Sequence, residues 1–356
     1  MTLDPLAARV EISRSALLHN VRSLRERLGP NRMIAAVLKG NAYGHGRDLV
    51  AEMVADSVDL LAAADPADAI ALADLAPGKA LSLGPAHGEI LAECIARAVH
   101  VTVSDQRQLD GLGPQAKVHL LVDTGLHRLG VAPQHAQALA HAIRVRGAQI
   151  EAAFCMVARA DYGEWEAVAE EVRLLRELAL GAERIHTGGS SVTLERPDLA
   201  GDIGRPGLAL LGYHPRQQQR ELVDLEPSLR LIAPILELRT VPTGDFIGYQ
   251  GRRLERATVV ATLPLGVAHG LHPSTDARVV ADVGGTLCPF LCPPSVDYCL
   301  LDVTDAPNPQ AGDPVLLLAG RPGCPTSVID VADRLGVIID HVLTPLSPTL
   351  RRIAAP

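Results

Sequence analysis

Met33-Ile34-Ala35-Ala36-Val37-Leu38-Lys39-Gly40-Asn41-Ala42-Tyr43-Gly44-His45-Gly46 is the stretch on which the fold turns. A six-residue apolar run followed by glycines reads as a buried parallel strand. Lys39 stands at its carboxyl end, where α/β barrels place their chemistry. In low-dielectric surroundings a lysine releases its proton easily and forms a Schiff base with a carbonyl. The glycines after Leu38 do not form the Gly-x-Gly-x-x-Gly turn of a dinucleotide-binding open sheet.

Outward from Lys39, apolar runs and amphipathic stretches alternate. Ser13 is a candidate N-cap for a helix over 16–28 that closes at Gly29-Pro30. Candidate strands are 34–38, 58–62, 80–83, 99–103, 118–122, 150–154, 185–188 and 207–211. Helical stretches fall at 46–56, 66–75, 86–97, 135–146 and 164–180, one of them opened by Asp65-Pro66, a cap followed by proline at the first helical position. Eight alternations predict a (β/α)8 barrel over 10–225. Near Pro227 the character changes to short β-branched segments broken by Pro and Gly, at 231–241, 257–263, 278–283, 298–303, 314–318 and 336–343. This predicts a mostly β domain over 226–356, which the extreme N-terminal strand can join.

A length of 356 residues fits two domains, and 47% hydrophobic with 21% charged residues is a globular composition. A net charge of −8 without basic blocks argues against nucleic acid or an anionic membrane as partner. No run reaches the ~18 apolar residues of a membrane span, and MTLDPLAARV lacks the cationic and apolar parts of a signal peptide, so a cytoplasmic location is expected. The six cysteines are too sparse for a disulfide framework.

The string AVLKGNAYGHG resembles the cofactor-lysine motif of the alanine racemase family, whose members use pyridoxal 5'-phosphate (PLP). The likeness runs from 10 to 352. His186-Thr187-Gly188-Gly189-Ser190-Ser191 follows a candidate strand, and its small residues allow amides and a hydroxyl to approach an anion. Gly204-Arg205-Pro206-Gly207-Leu208 lies in the late-strand region where barrels often hold phosphate. The resemblance implies Lys39 as the Schiff-base lysine, Tyr43, Ser190, Gly207 and Leu208 on the phosphate, and Arg205 facing the pyridine nitrogen. An arginine there keeps that nitrogen unprotonated and weakens the electron sink. Val122-Asp123-Thr124-Gly125-Leu126-His127-Arg128-Leu129-Gly130 is similar to the family's VDTGMxRLG segment, which assigns Arg128 to the substrate carboxylate, a task its forked guanidinium suits. Ser295-Val296-Asp297-Tyr298 resembles the family's (C/S)MDxxxxD segment, with Asp302 as the later acid; Val296 and Asp297 are thereby substrate-side residues, presented across a homodimer interface.

The pattern breaks at four positions. Where the family has GYADG, with tyrosine as one of two catalytic bases, this chain reads Gly266-Val267-Ala268-His269-Gly270. Val267 cannot move a proton. The histidine behind that tyrosine is Met156, the often carbamylated lysine is Leu121, and the C-terminal phosphate tyrosine is Asp340, which would repel phosphate unless protonated or turned away. The first three belong to one side of the family's proton machinery, so their joint loss points to a change of chemistry. Three readings are open: a substitute base, with His269 the nearest titratable residue in sequence; one-base chemistry from Lys39, such as decarboxylation, elimination, aldol cleavage or transamination; or PLP binding without catalysis. Cys288, Cys292 and His341 are weak metal candidates, because a Cys-x3-Cys pair without a second spaced pair is a poor zinc signal, and no metal is expected. The expected ligand is a small-molecule α-amino acid.

Overall fold

A computed structural model describes residues 6–356. The chain forms two compact units, one of residues 15–42 and 50–226, the other of residues 6–14, 43–49 and 227–356.

The chain's first strand, β1 (Arg9–Ser13), belongs to the second unit. The first unit carries β2 (Met33–Val37), β3 (Leu60–Ala63), β4 (Ala80–Pro85), β5 (His100–Val103), β6 (Lys117–Leu121), β7 (Gln149–Phe154), β8 (Arg184–His186) and β9 (Ile203–Gly204). Their order is β8-β7-β6-β5-β4-β3-β2-β9, with every pair parallel, which is a nearly closed eight-stranded barrel with helices between the strands. The strands are short, and β2 and β3 are wholly apolar, as expected where both faces are covered. The Asp65-Pro66 start is realised: the Asp65 carboxylate accepts from the Ala67 amide at 2.8 Å, and the helix runs Pro66–Leu75.

One strand lies elsewhere than its pattern predicts. Residues 207–211 form a turn, closed by the Tyr213 amide donating to the Leu208 carbonyl at 2.9 Å. The eighth strand is Ile203–Gly204, in register with Met33 and Ile34. Two residues carry too little pattern to be read as a strand, and the apolar run after Pro206 imitates one. Gly204 packs closely here: a Cβ would lie 2.7 Å from a Leu28 methyl, which would have to shift.

In the second unit a six-stranded sheet orders 286–289, 280–283, 314–318, β10 (Leu229–Pro234), β1 and 351–355. A three-stranded sheet joins 237–241, 258–263 and 299–302. Residues 336–343, expected as a strand, instead connect to and form helices: Val328–Leu335 ends just before them, and Ile339–Leu343 lies within them. The Ser327 hydroxyl caps the first helix at the Asp330 amide, and Gly336 at φ 69° ends it. Among the described residues no helix is long and apolar enough to cross a membrane.

Candidate active site

In the barrel unit Lys39 follows β2, two residues beyond its last residue, Val37. The Leu38 amide donates to the Ala62 carbonyl at 2.7 Å, and the Ala42 amide donates back to the Leu38 carbonyl at 2.9 Å, which folds the chain over at the lysine. The turn is left-handed: φ is 59° at Gly40, 55° at Asn41, 51° at Ala42 and 50° at Tyr43. Glycine and asparagine tolerate this region, whereas alanine and tyrosine occupy it at a cost of about 1–2 kcal/mol each. Such strain persists only where the surrounding structure over-determines the backbone. Lys39 itself is exposed, so the low-dielectric surroundings expected from sequence are not provided by the protein chain around it.

Arg205, just beyond β9, is 3% exposed. Its Nη1 donates to His186 Nδ1 at 2.6 Å, and its Nη2 donates to the Cys155 carbonyl at 3.0 Å, the Thr187 carbonyl at 3.3 Å and Met156 Sδ at 3.1 Å. The Phe154 ring lies beneath the guanidinium at 5.4 Å and stacks on His186 with centroids 4.5 Å apart. Burial pushes the arginine down to about 10, which leaves it cationic at neutral pH. Burial, then Arg205 and His119, hold His186 well below the usual histidine value, so it is a neutral acceptor. Among the described residues Nε is the one guanidinium nitrogen of Arg205 without a protein acceptor.

Ser190 begins the short helix Ser190–Glu195, and its Oγ accepts from the Gly207 amide at 3.1 Å and the Ala209 amide at 3.2 Å. The structure thus brings Ser190, Gly207 and the flanking Leu208 together, next to Arg205 in the chain. Arg128 is exposed in a loop braced by Asp123. The Asp123 carboxylate accepts from the His127 amide at 2.9 Å and the Gly125 amide at 3.2 Å. Burial raises this carboxyl, but those two amides and His127 hold it below its ordinary value. Gly130, at φ 125°, closes the loop where a Cβ would sit 2.6 Å from the Asp123 nitrogen.

In the β unit Tyr43 is half-buried. Val267, Ala268 and His269 form a single 3-10 turn. Two main-chain bonds tie it to the neighbouring loop: the Val267 amide donates to the Ser295 carbonyl at 3.0 Å, and the Ala268 amide to the Val296 carbonyl at 2.9 Å. Gly266 is enforced, since a Cβ would fall 2.3 Å from the Val296 oxygen. Val267, Val296 and Asp297 are exposed. The His269 ring is turned onto its own backbone, with Nδ1 accepting from the Gly266 amide at 3.1 Å. Asp340 lies in the first turn of Ile339–Leu343.

Sequence reasoning missed Phe154 and the histidines behind Arg205. The available signal was a histidine at position 119 inside the apolar run Lys117–Leu121.

A lysine at a barrel strand end, with a buried arginine and a serine–amide cluster in the same barrel, defines a barrel enzyme class with covalent cofactor chemistry in the family that the sequence resembles. Residues 12–215 match the family model for the alanine racemase N-terminal domain, and residues 228–354 that for the alanine racemase C-terminal domain. The chain belongs to the alanine racemase family, which comprises PLP-dependent amino-acid racemases. It is 32% identical to an alanine racemase of Sorangium cellulosum, covering 97% of this chain and 98% of that one. Its fold superimposes on the alanine racemase of Streptomyces lavendulae with a TM-score of 0.88 at 25% identity, covering 99% and 98% of the two chains. It also superimposes on that of Bartonella henselae, solved with covalently bound pyridoxal phosphate, with a TM-score of 0.86 at 21% identity and 98% and 99% coverage.

Proposed function

We propose that this chain binds PLP through Lys39 and acts on an α-amino acid, but is not an efficient two-base alanine racemase. The observation that carries the cofactor assignment is Arg205, a buried cation whose terminal nitrogens are taken by the protein while Nε is not. That donor fits a pyridine nitrogen, and the cluster of Ser190 with the Gly207 and Leu208 backbone fits a phosphate. The family resemblance adds the Tyr43 hydroxyl as a further phosphate donor. Bound PLP supplies an electron sink that acidifies the α-proton of an attached amino acid.

The chain's own residues determine the outcome. The family resemblance assigns the substrate carboxylate to Arg128, and assigns the Val296 amide and Asp297 to the substrate side across a dimer interface. Lys39 removes and returns the α-proton on one face. On the other face the matching residues are Val267, Met156 and Leu121, none of which carries a transferable proton at neutral pH. A missing general acid–base costs about 10²–10⁴-fold in rate. His269 offers one ring nitrogen at most, because the Gly266 amide occupies the other. Asp340 stands where the family has a phosphate tyrosine and contributes no attraction to the phosphate.

The protein is also proposed to work as a homodimer. Val296 and Tyr298, in one segment, are 65% and 50% exposed, which gives the β unit an apolar patch suited to a second copy.

The test is incubation of the PLP-loaded protein with L- and D-amino acids in heavy water, following α-deuteration and chirality together. Deuteration without inversion is expected. Robust inversion would overturn the one-base reading and make His269 the first residue to replace. No exchange with any amino acid would favour PLP binding without catalysis.

A further inference from the structure

Behind Arg205 a row of imidazoles runs through the barrel. His186 Nε2 lies 2.9 Å from His119 Nδ1, and His119 Nε2 lies 3.1 Å from His100 Nδ1. That same His100 nitrogen is 3.1 Å from a Glu151 carboxylate oxygen. The row draws on the last residue of β8, the middle of β6, the first residue of β5 and the third of β7. His100, His119 and His186 are buried, whereas the Glu151 side chain is partly exposed.

Counting donors fixes a direction. A guanidinium only donates, so His186 Nδ1 is bare. A neutral imidazole holds one N–H, so the His186 proton is on Nε2 and is donated to His119 Nδ1. The His119 proton is then on Nε2 and points at His100 Nδ1. Burial keeps His119 neutral, pushing it down to about 3. At His100 the rule fails: Nδ1 can accept from His119 or donate to Glu151, not both. The hydrogen bond from His100 holds the Glu151 carboxyl below its ordinary value, with Lys117 and His119 nearby acting in the same direction.

We infer that Glu151 is a positioning residue for Arg205, acting through a junction at His100: the carboxylate draws the His100 proton to Nδ1 and thereby leaves the His119 N–H without its acceptor. Neutralising Glu151 frees His100 Nδ1 to accept, and the row then runs unbroken to Arg205. The tautomers follow from the barrel alone. The consequence for a pyridine nitrogen facing Arg205 rests on the PLP assignment above.

The same three side chains invite a competing occupant, since donor atoms of His100, His119 and Glu151 lie within 4.8 Å of one another, a spacing a divalent cation could use. A metal would need a bare His119 Nε2, which sends the His119 proton to Nδ1 and sets it against His186 Nε2–H. The contact with Arg205 opposes that arrangement.

Imidazole ¹⁵N shifts of the ¹⁵N-histidine-labelled full chain, with and without PLP, decide the matter. Wild type is expected to show Nε2–H at His119 and His186 and Nδ1–H at His100. In Glu151→Gln, His100 is expected to switch to Nε2–H, and solvent exchange of the Arg205 Nη protons to slow about two- to tenfold, as one added neutral hydrogen bond implies. Nδ1–H at His119 in the wild type would overturn the inference, whether or not the variant folds. So would an unchanged His100 tautomer and Arg205 exchange rate in the variant, or stoichiometric Zn²⁺ binding that is lost in Glu151→Gln. Failure of PLP to bind, with the tautomers as expected, would sink the cofactor assignment and leave the junction standing.

Discussion

In the barrel unit, Arg205 is enclosed, has protein acceptors on both terminal nitrogens and rests on Phe154. In the β unit, Val267 and Val296 are 40% and 65% exposed, and main-chain bonds tie their segments together. The first arrangement makes Arg205 and its partners part of the core. Replacing them disturbs buried polar groups, so they are held by stability as well as by chemistry. The second leaves the side chain at 267 with little structural duty. A substitution there costs the fold little, so the proposed change in proton machinery leaves the scaffold intact.

The comparison breaks most visibly at Val267. Val267→Tyr should fold as well as wild type, because the position is exposed, and should raise alanine racemisation about 10²–10⁴-fold if a general acid–base is the missing part. Chiral separation of product with time measures it. An increase below threefold would mean that Met156 and Leu121 disable the tyrosine, or that the chemistry does not need it.

Arg205→Lys probes the enclosed side. One ammonium cannot serve His186 and the carbonyls of Cys155 and Thr187 together, so buried acceptors go unpaired, at an expected cost of about 2–4 kcal/mol. Chemical denaturation should show that loss in the barrel transition, with PLP bound more weakly. A variant as stable as wild type would remove the distinction between the two units.

The same contrast governs what is legible in the sequence. The strand end before Lys39, the barrel and the Asp65 cap are readable because each rests on local pattern: an apolar run, a period, a capping residue before proline. The strand at Ile203–Gly204 is not, because two residues have no period, and the turn at 207–211 is apolar for packing rather than for pairing. The segment 336–343 is ambiguous because its apolar residues suit a strand as well as a short helix, and only the Ser327 cap and Gly336 decide. The exposure of Lys39 cannot be read from its apolar neighbours, which lie in the strand before it. The histidine row is invisible because 100, 119, 151 and 186 meet only through strand pairing in the barrel.

Those buried histidines give the smallest and most selective effect. The native values of His119, His186 and His214 are lowered, chiefly by burial, His119 to about 3 from the ordinary 6.5. Below pH 6.5 the unfolded chain therefore binds protons that the native barrel refuses, and stability is lost as pH falls from that point. The loss continues until the native rings themselves take up protons. Each such ring contributes a slope of about 1.4 kcal/mol per pH unit, and none contributes above pH ~7.5. Asp123 and Glu151, whose carboxyls are lowered, act only at more acid pH, so the interval from about 5 to 6.5 isolates the histidines. His119→Gln should reduce the slope of the barrel transition by about one proton in that interval, whatever it does to stability at pH 8. Equal slopes in wild type and His119→Gln would mean that His119 is protonated in the native barrel, and the neutral row behind Arg205 would have to be abandoned.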